Sequence, residues 1–144
     1  MDLRWPASAA EVDRIQRERK RIAVERAKQA PFCIQPRTAT VEYWRSGGAT
    51  GRPLFYPRTA EDMKHGNVTF RRAYPLIGAT SDDLVHVSFP LGIHPVSSLY
   101  ARAAEEMGLG TVWCGAGTNT PSEVQLELID QLKPTIWAGM ASYG

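Results

Sequence analysis

The residues best suited to chemistry lie in a short glycine-rich segment, residues 45–53. Its sequence is Arg45-Ser46-Gly47-Gly48-Ala49-Thr50-Gly51-Arg52-Pro53. Glycine has no Cβ, so backbone N–H groups can converge on an anion, and nearby hydroxyl and guanidinium groups add further donors. Phosphate oxygens are negatively charged acceptors that match such a set of donors, and the guanidinium group keeps its positive charge at all ordinary pH values. The segment is therefore predicted to bind a polyphosphate through Ser46, Gly47, Gly48, Ala49, Thr50, Gly51 and Arg52.

The spacing of the glycines separates this segment from two common nucleotide-binding loops. A Walker loop has a lysine and a hydroxyl residue after its last glycine, and a helix begins there. Here Arg52 and Pro53 follow the last glycine, and a short apolar strand comes next. The G-x-G-x-x-G pattern of dinucleotide-binding folds is also absent. The segment is expected to join two strands, residues 41–44 and 54–56, and a glycine-rich hairpin turn without a ligand is the alternative interpretation.

A long charged helix is predicted before this segment, over residues 8–30. Ser8 with Glu11 three positions later forms a capping-box pattern, and apolar residues then recur near helical spacing. The other faces of the helix are charged and mildly basic. A surface for nucleic acid or anionic lipid is one interpretation, but a solvated helix face is favoured.

Helices and strands alternate after the glycine-rich segment. A helix capped by Thr59 is predicted to end near Ala73, and a later helix has Thr120 as its cap with Pro121 at its first position. Strands are predicted at residues 84–89, 111–114 and 135–140, and helices at residues 96–107 and 121–132. Short connections between such elements indicate right-handed crossovers and a mostly parallel sheet. Two tryptophans in these strands are expected in the core, Trp113 and Trp137.

Length and composition are those of a globular domain. The chain has 144 residues, of which 43% are hydrophobic and 22% are charged, and its formal net charge is +2. A domain of this size buries roughly two-thirds of its unfolded surface. The small net charge argues against nucleic acid as a partner. No apolar run approaches the roughly 18 residues of a membrane span, so no membrane partner is expected.

The cysteines and histidines give no metal-binding pattern. Cys33 and Cys114 are far apart and form no C-x-x-C pair, which favours reduced thiols and a cytoplasmic protein. His65 is predicted within a helix and His86 within a strand, with no cysteine or carboxylate at a metal-ligand spacing. No metal ligand is therefore predicted.

The glycine-rich segment resembles the phosphate loop of the adenylate-forming (AMP-binding) enzymes, whose pattern is roughly [S/T]-[S/G]-G-[T/A]-T-G-x-P. Residues 46–53 fit every position except the usual lysine, which is Arg52 here. The similarity is greatest to the phenylacetate–CoA ligase-like group and covers about residues 40–144, with a weaker likeness at residues 12–32. It also rests on the stretches at residues 88–94, 108, 115–117 and 142–143.

This resemblance implies an ATP-dependent, AMP-forming acid–CoA ligase. In that chemistry a carboxylate attacks the α-phosphate of ATP in the presence of Mg²⁺, and coenzyme A then displaces AMP. The glycine-rich segment would hold the β- and γ-phosphates. The resemblance also implies a substrate pocket with Phe89, Gly92 and His94 as its candidate residues, although Pro90 and Pro95 depart from the family pattern. A structural role is the alternative for His94.

Other parts of the family machinery have no counterpart in this sequence. These are the Y-G-x-[T/S]-E motif for adenine and Mg²⁺, a ribose-binding aspartate and a C-terminal lysine. No complete catalytic set and no Mg²⁺ ligand motif are therefore expected here. The resemblance implies an α/β fold: an N-terminal helix, a glycine-loop β-hairpin, and βαβαβ with a mostly parallel sheet. That would be an incomplete piece of the adenylate-forming N-terminal domain, with a helix and linker at residues 1–39 and a partial AMP-binding-type α/β domain at residues 40–144.

Two functions follow as hypotheses. In the first, the chain is the front portion of an acid–CoA ligase and does not complete the reaction alone. Its partners would be a nucleotide, a small carboxylic acid, and either the remainder of the ligase or a second copy bound through an exposed apolar sheet edge. In the second, the chain is a non-catalytic remnant or a small nucleotide- or phosphate-binding interaction module.

Overall fold

The computed structural model describes residues 6–29, 36–47, 51 and 53–142. Two compact units divide the chain, Met1–Thr40 and Val41–Gly144. Compactness does not by itself show independent folding. The division into domains at residues 1–39 and 40–144 therefore stays a prediction.

The first unit contains one long helix, α1 (Ala9–Gln29), close to its predicted bounds. Ser8 caps this helix, because its hydroxyl accepts the Glu11 N–H at 3.2 Å. The Glu11 carboxylate accepts the Ala7 N–H at 2.8 Å instead of the N–H of the cap residue. Most of the helix is exposed, as the charged sequence predicted. A short 3₁₀ turn (Arg37–Ala39) precedes the next strand.

The glycine-rich segment connects the two strands of a two-stranded sheet, which confirms the predicted hairpin. Its strands are β1 (Thr40–Arg45) and β2 (Phe55–Thr59). Ser46 closes its base with two bonds: its N–H donates to the Leu54 carbonyl at 2.9 Å, and its hydroxyl accepts the Leu54 N–H at 2.9 Å. The two ends of the segment are thereby held together.

Helix α2 (Ala60–Leu76) begins at the predicted cap and continues past the predicted end at Ala73. The Thr59 hydroxyl accepts the Asp62 N–H at 3.1 Å, and the Asp62 carboxylate accepts the Thr59 N–H at 2.9 Å. This reciprocal capping box satisfies two backbone donors that the helix leaves free at its start.

The second unit also contains a parallel three-stranded sheet. Its strands are β3 (Leu84–Val87), β4 (Gly110–Trp113) and β5 (Ile136–Ala138), in the order β4-β3-β5. Val87 lies opposite Trp113 on one side and Ala138 on the other. Helices α3 (Val96–Glu106) and α4 (Ser122–Leu132) connect the strands. The predicted βαβαβ arrangement is confirmed.

The strand order reverses at β3. The connection through α3 leads from β3 to one neighbour, and the connection through α4 crosses back to the strand on the other side. Because parallel crossovers are right-handed, the two helices lie on opposite faces of the sheet. Val85 and Val87, both 0% exposed, contribute to the core with α2 and α3, while His86 points to α4. The core comprises Tyr74, Val85, Val87, Ala101, Ala103, Ala104 and Leu109.

The prediction that two tryptophans lie in the core is wrong. Trp113 is 40% exposed and Trp137 is 41% exposed. Both lie on the outer strands of the described three-stranded sheet, β4 and β5. A large side chain there has a neighbouring strand on one side only. Their indole N–H groups have polar partners, the Glu105 carboxylate at 2.7 Å and the Ser88 hydroxyl at 3.0 Å.

The predicted cap of α4 is also wrong. Pro121, which was predicted at the first helical position, is the N-cap, and no side chain caps this helix. The Thr120 hydroxyl donates to the Cys114 carbonyl at 2.7 Å instead. The Thr120 hydroxyl therefore stabilises the turn after β4, whereas the sequence pattern predicted that it would cap the helix. Strand β3 also ends two residues before its predicted end at residue 89.

None of the helices in the described part of the chain combines the length and apolar character needed to cross a membrane.

The buried hydroxyl of Tyr74 makes the stability of the fold depend on alkaline pH. Its side chain is 3% exposed and its hydroxyl donates to the Tyr100 carbonyl at 2.9 Å. Burial, with a smaller effect from Tyr100, raises its pKa to about 12. The neutral form is therefore favoured in the folded state, and this contribution to stability is present below about pH 10 and is lost as pH rises towards 12.

We expect Y74F to lower the free energy of unfolding by about 1 kcal/mol at pH 8, because a buried hydrogen bond is lost. The difference from the unsubstituted protein should shrink at pH 11. Urea unfolding at both pH values and absorbance of tyrosinate at 295 nm measure these effects. Y56F, at a side chain 45% exposed, is the matched control. A difference that stays constant with pH would contradict the assignment.

Candidate phosphate and substrate site

The candidate site is built from three loops, two of which follow strands of the parallel sheet at their carboxyl ends. The phosphate loop comprises residues 46–53, between β1 and β2. The substrate loop comprises residues 89–94, after β3, and the glycine loop comprises residues 115–120, after β4. Ligands of open α/β sheets bind outside the carboxyl ends of strands where the strand order reverses, which is at β3 here.

The substrate loop is bonded to the residue that precedes the phosphate loop. The Arg45 N–H donates to the Ile93 carbonyl at 3.2 Å. The His94 ring Nδ1 lies 3.0 Å from the Arg45 carbonyl oxygen. Because a carbonyl oxygen only accepts, Nδ1 carries the hydrogen and donates it. Both backbone polar groups of Arg45 are thus bonded to the substrate loop.

The substrate loop is also bonded to the glycine loop. The Leu91 N–H donates to the Asn119 side-chain oxygen at 3.1 Å. Gly115 has φ +72°, and a Cβ at this position would lie 2.7 Å from Asn119 side-chain atoms. Glycine is therefore required at residue 115 for both its backbone conformation and the approach of Asn119.

The predicted substrate residues have different surroundings. Phe89 stacks on Tyr100 with ring centroids 5.2 Å apart and helps line a cavity of about 250 Å³, which Trp137 also lines. Gly92 is exposed and has φ +137°, a conformation that favours glycine. His94 is exposed and bonded to Arg45. Membership of all three residues in one substrate pocket stays a prediction.

The described glycines of the phosphate loop are exposed. Of the predicted phosphate-binding residues, Gly48, Ala49, Thr50 and Arg52 lie outside the described residues. Gly47 and Gly51 are exposed, and a Cβ on either would meet no atom within 4 Å. The Ser46 hydroxyl accepts a bond from Leu54, which leaves its own hydrogen for an acceptor.

Strand β1 is attached to α3 by a charged network. Arg102 Nη1 lies 2.6 Å from Glu42 Oε1, and the Trp44 indole N–H donates to Glu42 Oε2 at 2.9 Å. The Arg58 guanidinium lies 4.6 Å from the centroid of the Trp44 ring. Burial by itself would raise the pKa of Glu42, but the bonds from Trp44 and Arg102 and the charge of Arg102 lower it. The strand that leads into the phosphate loop is therefore fixed along its length.

A buried polar network on the other face of the sheet holds the glycine loop. Gln125 Nε2 donates to the Gly115 carbonyl at 3.1 Å and to the Thr120 carbonyl at 2.9 Å. The side-chain oxygen of Gln125 is then the acceptor, and the Ser88 hydroxyl and His86 Nε2 both lie 3.0 Å from it. The amide of one helix residue thus joins β3 to the glycine loop.

This network also places a hydrogen on one ring nitrogen of His86. Nε2 carries the hydrogen that it donates to the Gln125 side-chain oxygen, and in the neutral ring Nδ1 then has a free electron pair. Cys114 Sγ lies 3.8 Å from that Nδ1 and supplies an S–H donor. Burial raises the pKa of the Cys114 thiol, which keeps it protonated and unsuited to nucleophilic attack.

No group of side chains that could bind a metal ion is present in the described part of the chain. No three histidine, cysteine, aspartate or glutamate side chains among those residues are grouped to hold an ion.

Helix α4 covers its face of the sheet incompletely. A groove of about 680 Å³ lies along α4 and β5, with His86 and Gln125 among its lining residues. Several apolar side chains of α4, β5 and the following turn are exposed: Val124, Leu126, Leu132, Trp137 and Met140. Only Trp137 among these side chains lies on a strand, so the exposed apolar surface belongs mainly to α4 and less to the sheet edge expected from the sequence. The self-association inferred from that edge stays a prediction.

Sequence reasoning missed three residues that organise this site. Arg45 contributes through its backbone, which no residue type reveals. Asn119 bonds to Leu91 in the substrate loop, which is far away in the chain. Gln125 bonds to the Gly115 and Thr120 carbonyls of the glycine loop that precedes its helix. The presence of Asn119 in a glycine-containing turn was the only signal that could have drawn attention to it.

Among solved structures, several states of one CoA ligase share this arrangement of elements. One is 2-hydroxyisobutyryl-CoA ligase in an open conformation with 2-HIB-AMP and CoA. The TM-score is 0.70 at 22% sequence identity, over 83% of this chain and 28% of that chain. The same ligase in the postadenylation state with 2-HIB-AMP gives a TM-score of 0.66 at 20% identity, over 78% of this chain and 24% of that chain. Its thioesterification state with 2-HIB-AMP and CoA gives 0.66 at 21% identity over the same shares.

These similarities show the fold. The chain has the mixed α/β architecture of part of an adenylate-forming ligase domain, and it spans about a quarter of those ligase chains. No protein-family model matches the sequence. No curated protein matches it either.

The buried amide of Gln125 generates a stability prediction. We expect Q125L to lower the free energy of unfolding by about 3 kcal/mol, because leucine leaves two carbonyls, a hydroxyl and a ring N–H without their partner. Q131L makes the same change at an exposed position of the same helix and should alter it by less than about 0.5 kcal/mol. Urea unfolding followed by circular dichroism measures both. Equal losses for the two variants would show that the network does not stabilise the fold.

Proposed function

We propose that this chain carries the phosphate-binding part of an AMP-forming acid–CoA ligase of the phenylacetate–CoA ligase-like group. One observation carries the proposal. A segment with the adenylate-forming phosphate-loop pattern follows Arg45, which is bonded to the loop after β3, and the fold is shared with a ligase that was solved with 2-HIB-AMP and CoA.

The phosphate loop would hold the β- and γ-phosphates of ATP. Backbone N–H groups at Gly47, Gly48 and Gly51 and hydroxyls at Ser46 and Thr50 donate to phosphate oxygens, and Arg52 supplies charge. A carboxylate oxygen of the acid attacks the α-phosphorus, and the bond to the pyrophosphate oxygen breaks. The loop stabilises the charge that develops on the departing pyrophosphate.

The acid would be recognised at the substrate loop. Phe89 and Tyr100 give an apolar, aromatic wall to the cavity of about 250 Å³, which suits the hydrocarbon part of a small carboxylic acid. Gly92 and His94 shape the same loop. The thiol of coenzyme A then attacks the acyl carbon of the acyl-adenylate, and AMP leaves.

The remaining parts of the reaction are assigned to groups outside the residues described here. The described residues contain no cluster suited to Mg²⁺, so no step is assigned to that ion on this chain. Adenine and coenzyme A would be bound by further ligase segments, supplied by a complementary polypeptide or a longer form of this protein.

Binding of pyrophosphate and ATP tests the proposal. We expect isothermal titration calorimetry to detect both ligands, and R52A to weaken each at least tenfold, because a charged hydrogen bond contributes about 1.5–3 kcal/mol. R52K keeps the charge and should lose less than R52A. R17A removes an exposed arginine of α1 and serves as the matched control.

Three results would count against this function. Failure of the unsubstituted protein to bind either ligand would exclude phosphate binding. Equal effects of R52A and R17A would show that binding follows general charge. Binding without any contribution to acid adenylation, when the chain is combined with the remaining ligase segments, would favour a non-catalytic phosphate-binding module.

A further inference from the structure

We propose that His94 is a positioning residue for phosphate binding: its side chain holds Arg45, the residue immediately before the phosphate loop. This inference rests on the proposed function, because it assigns the phosphate site a support outside the loop itself. His94 acts here through the Arg45 backbone and needs no contact with substrate.

The geometry at Arg45 supports this role. The His94 Nδ1 donates to the Arg45 carbonyl at 3.0 Å, and the Arg45 N–H donates to the Ile93 carbonyl at 3.2 Å. The second bond joins two backbone groups and forms with any side chain at residue 93. The first bond depends on a side chain, so it is the one that the sequence specifies.

Residues on both sides of this contact are themselves fixed. Ser46, the next residue, makes two bonds to Leu54 across the hairpin. The substrate loop is attached to the glycine loop through Leu91 and Asn119 at 3.1 Å. His94 therefore ties the first turn of the phosphate loop to a part of the chain that is anchored on the sheet.

Fixed loop ends matter for binding a polyphosphate. Backbone N–H groups bind an anion well when they already converge, because ordering a free loop costs conformational entropy at the moment of binding. Loss of the His94 bond would add part of that cost. A single hydrogen bond corresponds to about a three- to tenfold change in affinity.

The test compares H94A with H94N. Alanine removes the donor, whereas the asparagine side-chain amide can place an N–H near the former Nδ1 and restore the bond to the Arg45 carbonyl. We expect H94A to weaken pyrophosphate binding about three- to tenfold by isothermal titration calorimetry. H94N should bind within about twofold of the unsubstituted protein.

His65 provides the matched control. Its Nδ1 lies 2.8 Å from the Glu61 carbonyl within α2, so H65A removes a bond of the same type outside the three loops. H65A should leave pyrophosphate affinity unchanged. Amide hydrogen exchange at Arg45 should be faster in H94A than in H94N or H65A, which reports the contact independently of ligand.

Each outcome has one meaning. Normal pyrophosphate affinity in H94A, or equal weakening by H94A and H94N, overturns the role of His94 and leaves the proposed function intact. Absence of pyrophosphate binding in the unsubstituted protein overturns the proposed function and this inference with it. Weak binding by H94A with rescue by H94N supports both.

Discussion

The carboxyl end of the sheet depends on the side-chain amide of Gln125. It is the one residue of α4 that is buried, and it is polar. A parallel sheet needs cover on both faces, and an apolar helix stripe usually provides it. Here the amide instead joins His86 and Ser88 of the β3 region to two carbonyls of the glycine loop. Because these bonds are directional, they determine where the helix lies and how the loop turns.

The two faces of the sheet are therefore stabilised in different ways. Val85 and Val87 pack against α2 and α3 without polar partners, and such contacts tolerate small shifts. The α4 face has few buried contacts, and a groove of about 680 Å³ remains beside it. An apolar face alone would leave the loops at the carboxyl end with several similar arrangements. The polar network favours one of them, at the cost of desolvating its members.

The sequence predicted the periodic part of this fold well. Apolar spacing located the helices and strands, and a local pattern predicted the cap at Thr59. The errors arise where a residue has an alternative partner or a position set by distant residues, neither of which the periodicity of the sequence shows. Thr120 bonds to the Cys114 carbonyl in preference to capping α4, and Trp137 lies on an outer strand whose position in the sheet is set by distant pairing. Likewise, the bond from His94 to the Arg45 carbonyl joins residues that no sequence pattern connects.

The same bond constrains what the site can do. The phosphate loop supplies donors by its sequence, but donors act together only when the loop ends are held. One end is attached through His94 to the substrate loop, and that loop also carries Phe89, which lines the candidate acid cavity. Residues 89–94 span at most about 20 Å even when fully extended. Arg45, which precedes the phosphate loop, and Phe89 at the candidate acid cavity are therefore separated by no more than one short loop, as the proposed reaction between a carboxylate and a nucleotide phosphate requires.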